Sequence, residues 1–198
     1  MLQRADALRL VADRYLDDPI ILTLGGTVRE MLAVAGRRPN HLAILDAMGQ
    51  PAAIGLGLAM GIEEDARHER VVVLEGDGSL LMGLSSIATI GHLRPAKLLL
   101  VVLDNGVYLA TGGQPTAAAD ADYVAIALAC GWTAARDVDG EAEAFAEALA
   151  WADAQTGPIL LRVKIGTEQL TTDFFLEDPV ILARDFMDWL HADAGEAS

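Results

Sequence analysis

A single cysteine, Cys130, in 198 residues excludes an intrachain disulfide and a thiolate metal cluster, and fits a reducing compartment. Positive charge is scarce as well. Fourteen Lys and Arg stand against 29 Asp and Glu, a formal net charge of −15 that repels phosphate backbones and anionic membrane surfaces alike. Nucleic acid and membranes are therefore not expected as partners. No apolar run approaches the length of a membrane span, and the first 16 residues have charges spread through them in place of the apolar core of a signal peptide. A soluble, cytoplasmic protein is expected. There is no internal repeat and no low-complexity linker, so residues 1–198 read as one domain, with 192–198 as a frayed tail. Any anionic ligand would need a local exception to the acidic field, built from backbone NH groups, a metal ion or a few arginines.

What the chain has in plenty is apolar side chains, at 53%, with 22% charged, the composition of a packed globular protein. The stretch 71–116 organises the rest. Residues 71–74 and 98–103 are unbroken Val- and Leu-rich runs, too short for helices, as expected of strands buried on both faces of a parallel sheet. Between them, residues 79–92 carry a mostly apolar helical face, with Ser79 available as a cap. A right-handed crossover between parallel strands brings Asp77 and Asn105 to the same carboxyl edge of the sheet.

The flanks repeat the alternation. An amphipathic helix over 3–16 precedes a buried strand at 20–24, then Gly25-Gly26-Thr27 opens a helix over 28–35, an arrangement that presents free NH groups to an anion. A short strand at 41–45, a turn at Met48, and a small-residue helix over 52–62 follow. Beyond the centre come a helix at 123–130, a strand at 132–136, a helix at 141–155, a strand at 159–165 and an amphipathic helix from Asp178-Pro179 to His191. The fold class is α/β, an open, mostly parallel, doubly wound sheet with helices on both faces. Gly55, Gly57 and Gly61 suggest a dinucleotide fingerprint only superficially. They sit inside a helix with the wrong spacing, and close helix packing is the better reading.

Asp77 between Gly76 and Gly78 is a weak signal by itself. The two glycines could supply unusual backbone angles while Asp77 caps the next helix. Its pairing with Asn105, and a second glycine-rich loop at Gly112-Gly113, point further. Both side chains are hard oxygen donors suited to magnesium, which leaves positions open for phosphates and water. A Mg²⁺-bridged diphosphate would then rest on NH groups near Gly78 and Ser79, close to residues 25–27.

The segments LGGTVREM, LDAMGQPAAIGLGLA, EGDGSLLMGLSSIATIG and LDNGVYLATGGQPT resemble the cofactor-binding domain of thiamine diphosphate enzymes, specifically the sulfopyruvate and phosphonopyruvate decarboxylases. The resemblance covers nearly the whole chain. It implies Mg²⁺ held by Asp77, Asn105 and the Val107 carbonyl. It implies thiamine diphosphate bound by Gly25, Gly26, Thr27, Gly76, Gly78, Ser79 and Asn105. Asp46 and Met48 would meet the aminopyrimidine, with the Met48 side chain bending the cofactor. Thr111, Gly112, Gly113 and Gln114 would lie near substrate. Asp104 stands where related sequences more often have the first of two asparagines, and Ala110 where serine would be expected. No catalytic acid is assigned on this chain, because the activating glutamate of such enzymes belongs to a pyrimidine-binding domain.

The implied protein is thus the cofactor-binding subunit of a two-component 2-oxoacid decarboxylase. Its partner is a pyrimidine-binding, alpha-type subunit and its substrate a small anionic 2-oxoacid, 3-sulfopyruvate or 3-phosphonopyruvate. Two other outcomes remain open at this point: a subunit of an acetolactate synthase-like carboligase, or a non-catalytic thiamine diphosphate-binding partner.

Overall fold

The computed structural model describes residues 1–175 and 177–192; the expected frayed tail lies outside the described residues except for Ala192. In chain order the elements are α1 (Arg4–Arg14), β1 (Ile20–Leu22), α2 (Gly26–Ala35), β2 (His41–Ala43), α3 (Pro51–Gly61), β3 (Val71–Gly76), α4 (Asp77–Met82), α5 (Ser85–Leu93) and β4 (Leu98–Asp104). A two-residue hairpin, β5 (Val107–Tyr108) and β6 (Gln114–Pro115), leads to α6 (Tyr123–Ala129), β7 (Ala134–Val138), α7 (Ala142–Asp153), β8 (Ile159–Lys164) and α8 (Pro179–His191). Six strands form one sheet in the order β2-β1-β3-β4-β8-β7, every pair parallel.

The alternating pleat divides the strands between two cores. Val72 and Leu74 of β3 pack with Leu8, Val28, Met31 and Phe145 from α1, α2 and α7. Val71 and Val73 face the other way, toward Leu56, Ile87, Ala127 and Phe186 from α3, α5, α6 and α8. Burial on both faces explains the unbroken apolar runs. The sheet is doubly wound, as the residue pattern predicts.

Several boundaries differ from the sequence reading. The crossover is two helices instead of one, because the chain breaks at Gly83-Leu84. At that break a Cβ added to Gly83 would lie 1.9 Å from the Gly49 carbonyl oxygen, so two backbones touch where side chains would hold them apart. The strand expected at 132–136 is displaced to Ala134–Val138, since Trp132 turns inward and its indole NH donates to the Ile87 carbonyl at 2.8 Å. The hairpin β5-β6 escapes sequence reading altogether, its strands being too short to show a period.

Candidate functional site

The strands β1, β3 and β4 end together on one edge of the sheet, and a cleft of about 160 Å³ opens there. The register aligns Gly76 with Leu103, so the turn at Asp77 and the turn at Asn105 are neighbours, as the right-handed crossover requires. Both residues line the cleft, with the first turn of α2 as its other wall. Gly25 has φ +73°, a backbone state open to glycine, and a Cβ there would meet nothing within 4 Å, projecting into open space.

Neither Gly76 nor Gly78 has a positive φ, so the backbone-angle reading of that pair does not hold. Gly78 is bare for a different reason. A Cβ on it would strike the Tyr108 ring at 2.2 Å. Asp77 is the first residue of α4 and not its cap, and no side chain caps that helix. Its carboxylate is 3% exposed and accepts from Thr116 Oγ1 at 2.5 Å. Burial raises the Asp77 pKa above the ordinary range; the Thr116 hydrogen bond opposes the shift and the nearby Asp104 charge adds to it. A buried carboxylate beside a second acid is in surroundings that a cation would relieve.

Asp104 itself is matched. It is 1% exposed and its Oδ2 meets Arg162 at 2.8 Å and Lys164 at 2.5 Å, two cations at alternate positions of β8 on the same sheet face. Arg162 also donates to the Ala118 and Ala121 carbonyls, which fixes the segment following Thr116. Asn105 Oδ1 accepts from the Val107 NH at 3.0 Å and keeps a second lone pair.

Ser79 is not a helix cap. Its hydroxyl is buried, accepting from the Gly49 NH at 2.9 Å and from Thr23 Oγ1 at 3.2 Å, so the ends of β1, α3 and α4 meet on one oxygen. Beneath it lies Glu75, fully buried, its pKa pushed up to about 7 by desolvation. The hydroxyls of Ser79 and Thr23 and the amides of Gly76 and Ala52 partly offset that shift, yet neither carboxyl oxygen completes a hydrogen bond.

Of the residues singled out from the sequence, Gly25, Gly26, Thr27, Met48, Gly76 and Asp77 line the cleft, as do Gly78, Ser79, Asn105, Val107 and Thr111. Asp46 is exposed and lines an adjoining groove instead. Gly112 and Gly113 lie in the exposed turn of the hairpin and Gln114 opens β6, its Nε2 donating to the Thr111 carbonyl at 2.9 Å, and none of the three lines the cleft. Sequence reasoning missed Thr116, Glu75 and the two cations on Asp104; only the alternation of Arg162 and Lys164 hinted at the last.

The donor set fits a diphosphate held through a divalent ion. Two hard oxygen groups stand beside an amide-lined turn, and no cluster of three or more His, Cys, Asp or Glu among the described residues offers an all-side-chain metal site. Residues 26–163 match the family described as thiamine pyrophosphate enzyme, C-terminal TPP binding domain. This chain belongs to that family. Among curated relatives of this thiamine pyrophosphate-binding domain is phosphonopyruvate decarboxylase of Streptomyces viridochromogenes, 39% identical over 157 residues, which are 79% of this chain and 38% of that protein. Sulfopyruvate decarboxylase subunit beta of Methanothermobacter thermautotrophicus is 36% identical over 165 residues, 83% of each chain. The domain thus spans less than half of the first relative and most of the second. Benzoylformate decarboxylase from Polynucleobacter necessarius shares the fold, with a TM-score of 0.66 at 22% identity over 83% of this chain and 33% of that one.

Proposed function

We propose that this chain is the cofactor-binding subunit of a two-component, thiamine diphosphate-dependent decarboxylase that converts 3-sulfopyruvate or 3-phosphonopyruvate to the aldehyde and CO₂. The observation that carries the reading is the meeting of Asp77 and Asn105 at one cleft in a chain of this family. The family supplies the cofactor, and the relatives named above motivate the substrate class. In this reading Asp77, Asn105 and the Val107 carbonyl hold Mg²⁺, while Gly25 to Thr27 and the turn through Gly76, Gly78 and Ser79 hold the diphosphate. The Ser79 hydroxyl is already engaged by Gly49 and Thr23, so its backbone NH makes the contact. Met48, half-buried on the cleft wall, would favour the bent conformation of the cofactor.

Thiamine diphosphate held there would supply the electron sink for decarboxylation. The chain's own work is anchoring and orientation. Asp77 is the only carboxylate among the described residues lining the cleft, and it is committed to the metal. In this reading the acid that activates the aminopyrimidine is supplied by a pyrimidine-binding partner subunit in a hetero-oligomer, a reading supported by the relative named sulfopyruvate decarboxylase subunit beta. No helix among the described residues is long and apolar enough to cross a membrane.

Mixing the purified chain with its pyrimidine-binding partner, thiamine diphosphate and Mg²⁺ tests the reading. Decarboxylation of 3-sulfopyruvate or 3-phosphonopyruvate is expected from the mixture and not from either subunit. A mixture inert toward both overturns the substrate and reaction assignment. Asp77→Ala should abolish Mg²⁺-dependent cofactor binding by calorimetry with circular dichroism unchanged, and undiminished affinity would remove the metal site.

A further inference from the structure

A decarboxylase for these substrates faces an electrostatic problem: a small molecule with two or more negative charges must enter a protein of net charge −15. A local source of positive potential favours entry. Two arginines line the cleft, Arg4 and Arg29. Arg4 is spent internally, its Nε and Nη2 donating to both oxygens of the buried Glu30 carboxylate at 3.0 and 2.7 Å beneath Gly26. Arg29 makes no ion pair among the described residues.

Arg29 also stands at a junction. It lines both the metal-ligand cleft and the adjoining groove of about 900 Å³, and Leu24, Gly25 and Ala110 are likewise shared by the two. A molecule reacting in the first and extending outward passes this wall. Of the carboxylates on the groove, Glu177 is paired with Arg37 and Asp46 is exposed to solvent, where its field is screened.

The guanidinium sits over an aromatic ring. Its carbon lies 5.7 Å from the centroid of Phe174, a ring left 82% exposed at the rim. A cation–π contact consumes no N–H donor, so the Arg29 guanidinium keeps its donors for a tetrahedral oxyanion. The residue sits in the first turn of α2, where the helix end is itself positive and no acidic side chain offsets it.

We infer that Arg29, braced by Phe174, is the specificity residue that binds the sulfonate or phosphonate on C3 of the substrate; this rests on the decarboxylase reading above. A substrate lacking that group gains nothing from it.

The test uses the reconstituted complex of chain, partner, cofactor and Mg²⁺, with 3-sulfopyruvate, 3-phosphonopyruvate and pyruvate compared in wild type, Arg29→Ala and Arg29→Lys. Arg29→Ala should raise KM for both charged substrates by roughly 10- to 100-fold, the scale of one charge-assisted bidentate contact, with Arg29→Lys intermediate. The kcat/KM for pyruvate and the calorimetric affinity for thiamine diphosphate should stay within about twofold. A matching loss of cofactor affinity would make Arg29 a diphosphate ligand and overturn the inference, as would an equal loss for all three substrates. Should the wild-type complex turn over none of them, the decarboxylase reading fails by itself. Calorimetry with unreactive 3-sulfopropanoate then decides Arg29: binding lost only in Arg29→Ala upholds the oxyanion site, and no binding to wild type, or equal binding to the variant, rejects it.

Discussion

Thr116 Oγ1 donates a 2.5 Å hydrogen bond to Asp77 Oδ2 inside the sheet edge, and the same hydroxyl oxygen accepts from the Ala118 NH at 3.3 Å. One side chain therefore aims the proposed metal ligand and starts the turn that follows it.

Replacing Thr116 by Val removes that bond at nearly constant volume. A hydrogen bond to a charged group contributes about 1.5–3 kcal/mol, so Mg²⁺-dependent affinity for thiamine diphosphate should fall roughly 10- to 100-fold. Thr116→Ser should restore most of it. Isothermal titration of the two variants, with urea unfolding as a control for global stability, measures the effect.

Arg162 and Lys164 hold the same carboxylate with unequal consequences. Arg162 is 10% exposed at its side chain and Lys164 52%. Arg162→Met leaves Asp104 buried with only a half-exposed partner and frees two carbonyls, which should cost about 3–5 kcal/mol in denaturant unfolding. Lys164→Met should cost less than about 1 kcal/mol, as exposed pairs do. The Arg162 variant should also weaken cofactor binding, since the segment it fixes carries Thr116.

His41, on the edge strand β2, has its pKa lowered to about 4 by burial, with the Arg38 charge adding to the shift, and its Nε2 is sealed without a hydrogen-bond partner. Its neutral form is the one the fold accepts. The unfolded chain takes up a proton near the ordinary histidine value of about 6.5, while the folded chain does not until about pH 4. This contribution is therefore complete above pH 6.5 and lost as the pH falls from 6.5 to 4. His41→Leu should remove on the order of 1 kcal/mol of the stability lost across that window, read by differential scanning calorimetry at pH 7, 5.5 and 4.5.

The centre of the fold is legible in the sequence because strands buried on both faces leave no polar positions, and the glycine turns mark where they stop. Val71 to Leu74 and Leu98 to Leu103 announce a parallel pair, and that alone sets Asp77 beside Asn105. The partners of these residues are not legible. Thr116 lies 39 residues beyond Asp77 and Arg162 lies 58 beyond Asp104, with no periodicity to link them. The break in the crossover helix is hidden for the opposite reason: Leu80, Leu84, Ile87 and Ile90 sustain a helical stripe straight through Gly83, and only the approach of Gly49 shows why the chain must turn. Arg29 reads from sequence as an ordinary polar residue of a helix, and its position between two clefts emerges only when the loops are in place.

The contact of Gly49 with Gly83 has a further meaning. Added Cβ atoms would reach backbone at 2.6 Å from one side and 1.9 Å from the other, so neither position admits a side chain without parting the two segments. The loop bearing Met48 and the turn bearing Asp77 are thus locked into a single rigid frame, closed to diversification by substitution at its joint. In the proposed reading, variation of substrate preference falls to the outer wall where Arg29 and Phe174 stand, while the joint of Gly49 and Gly83 stays as it is.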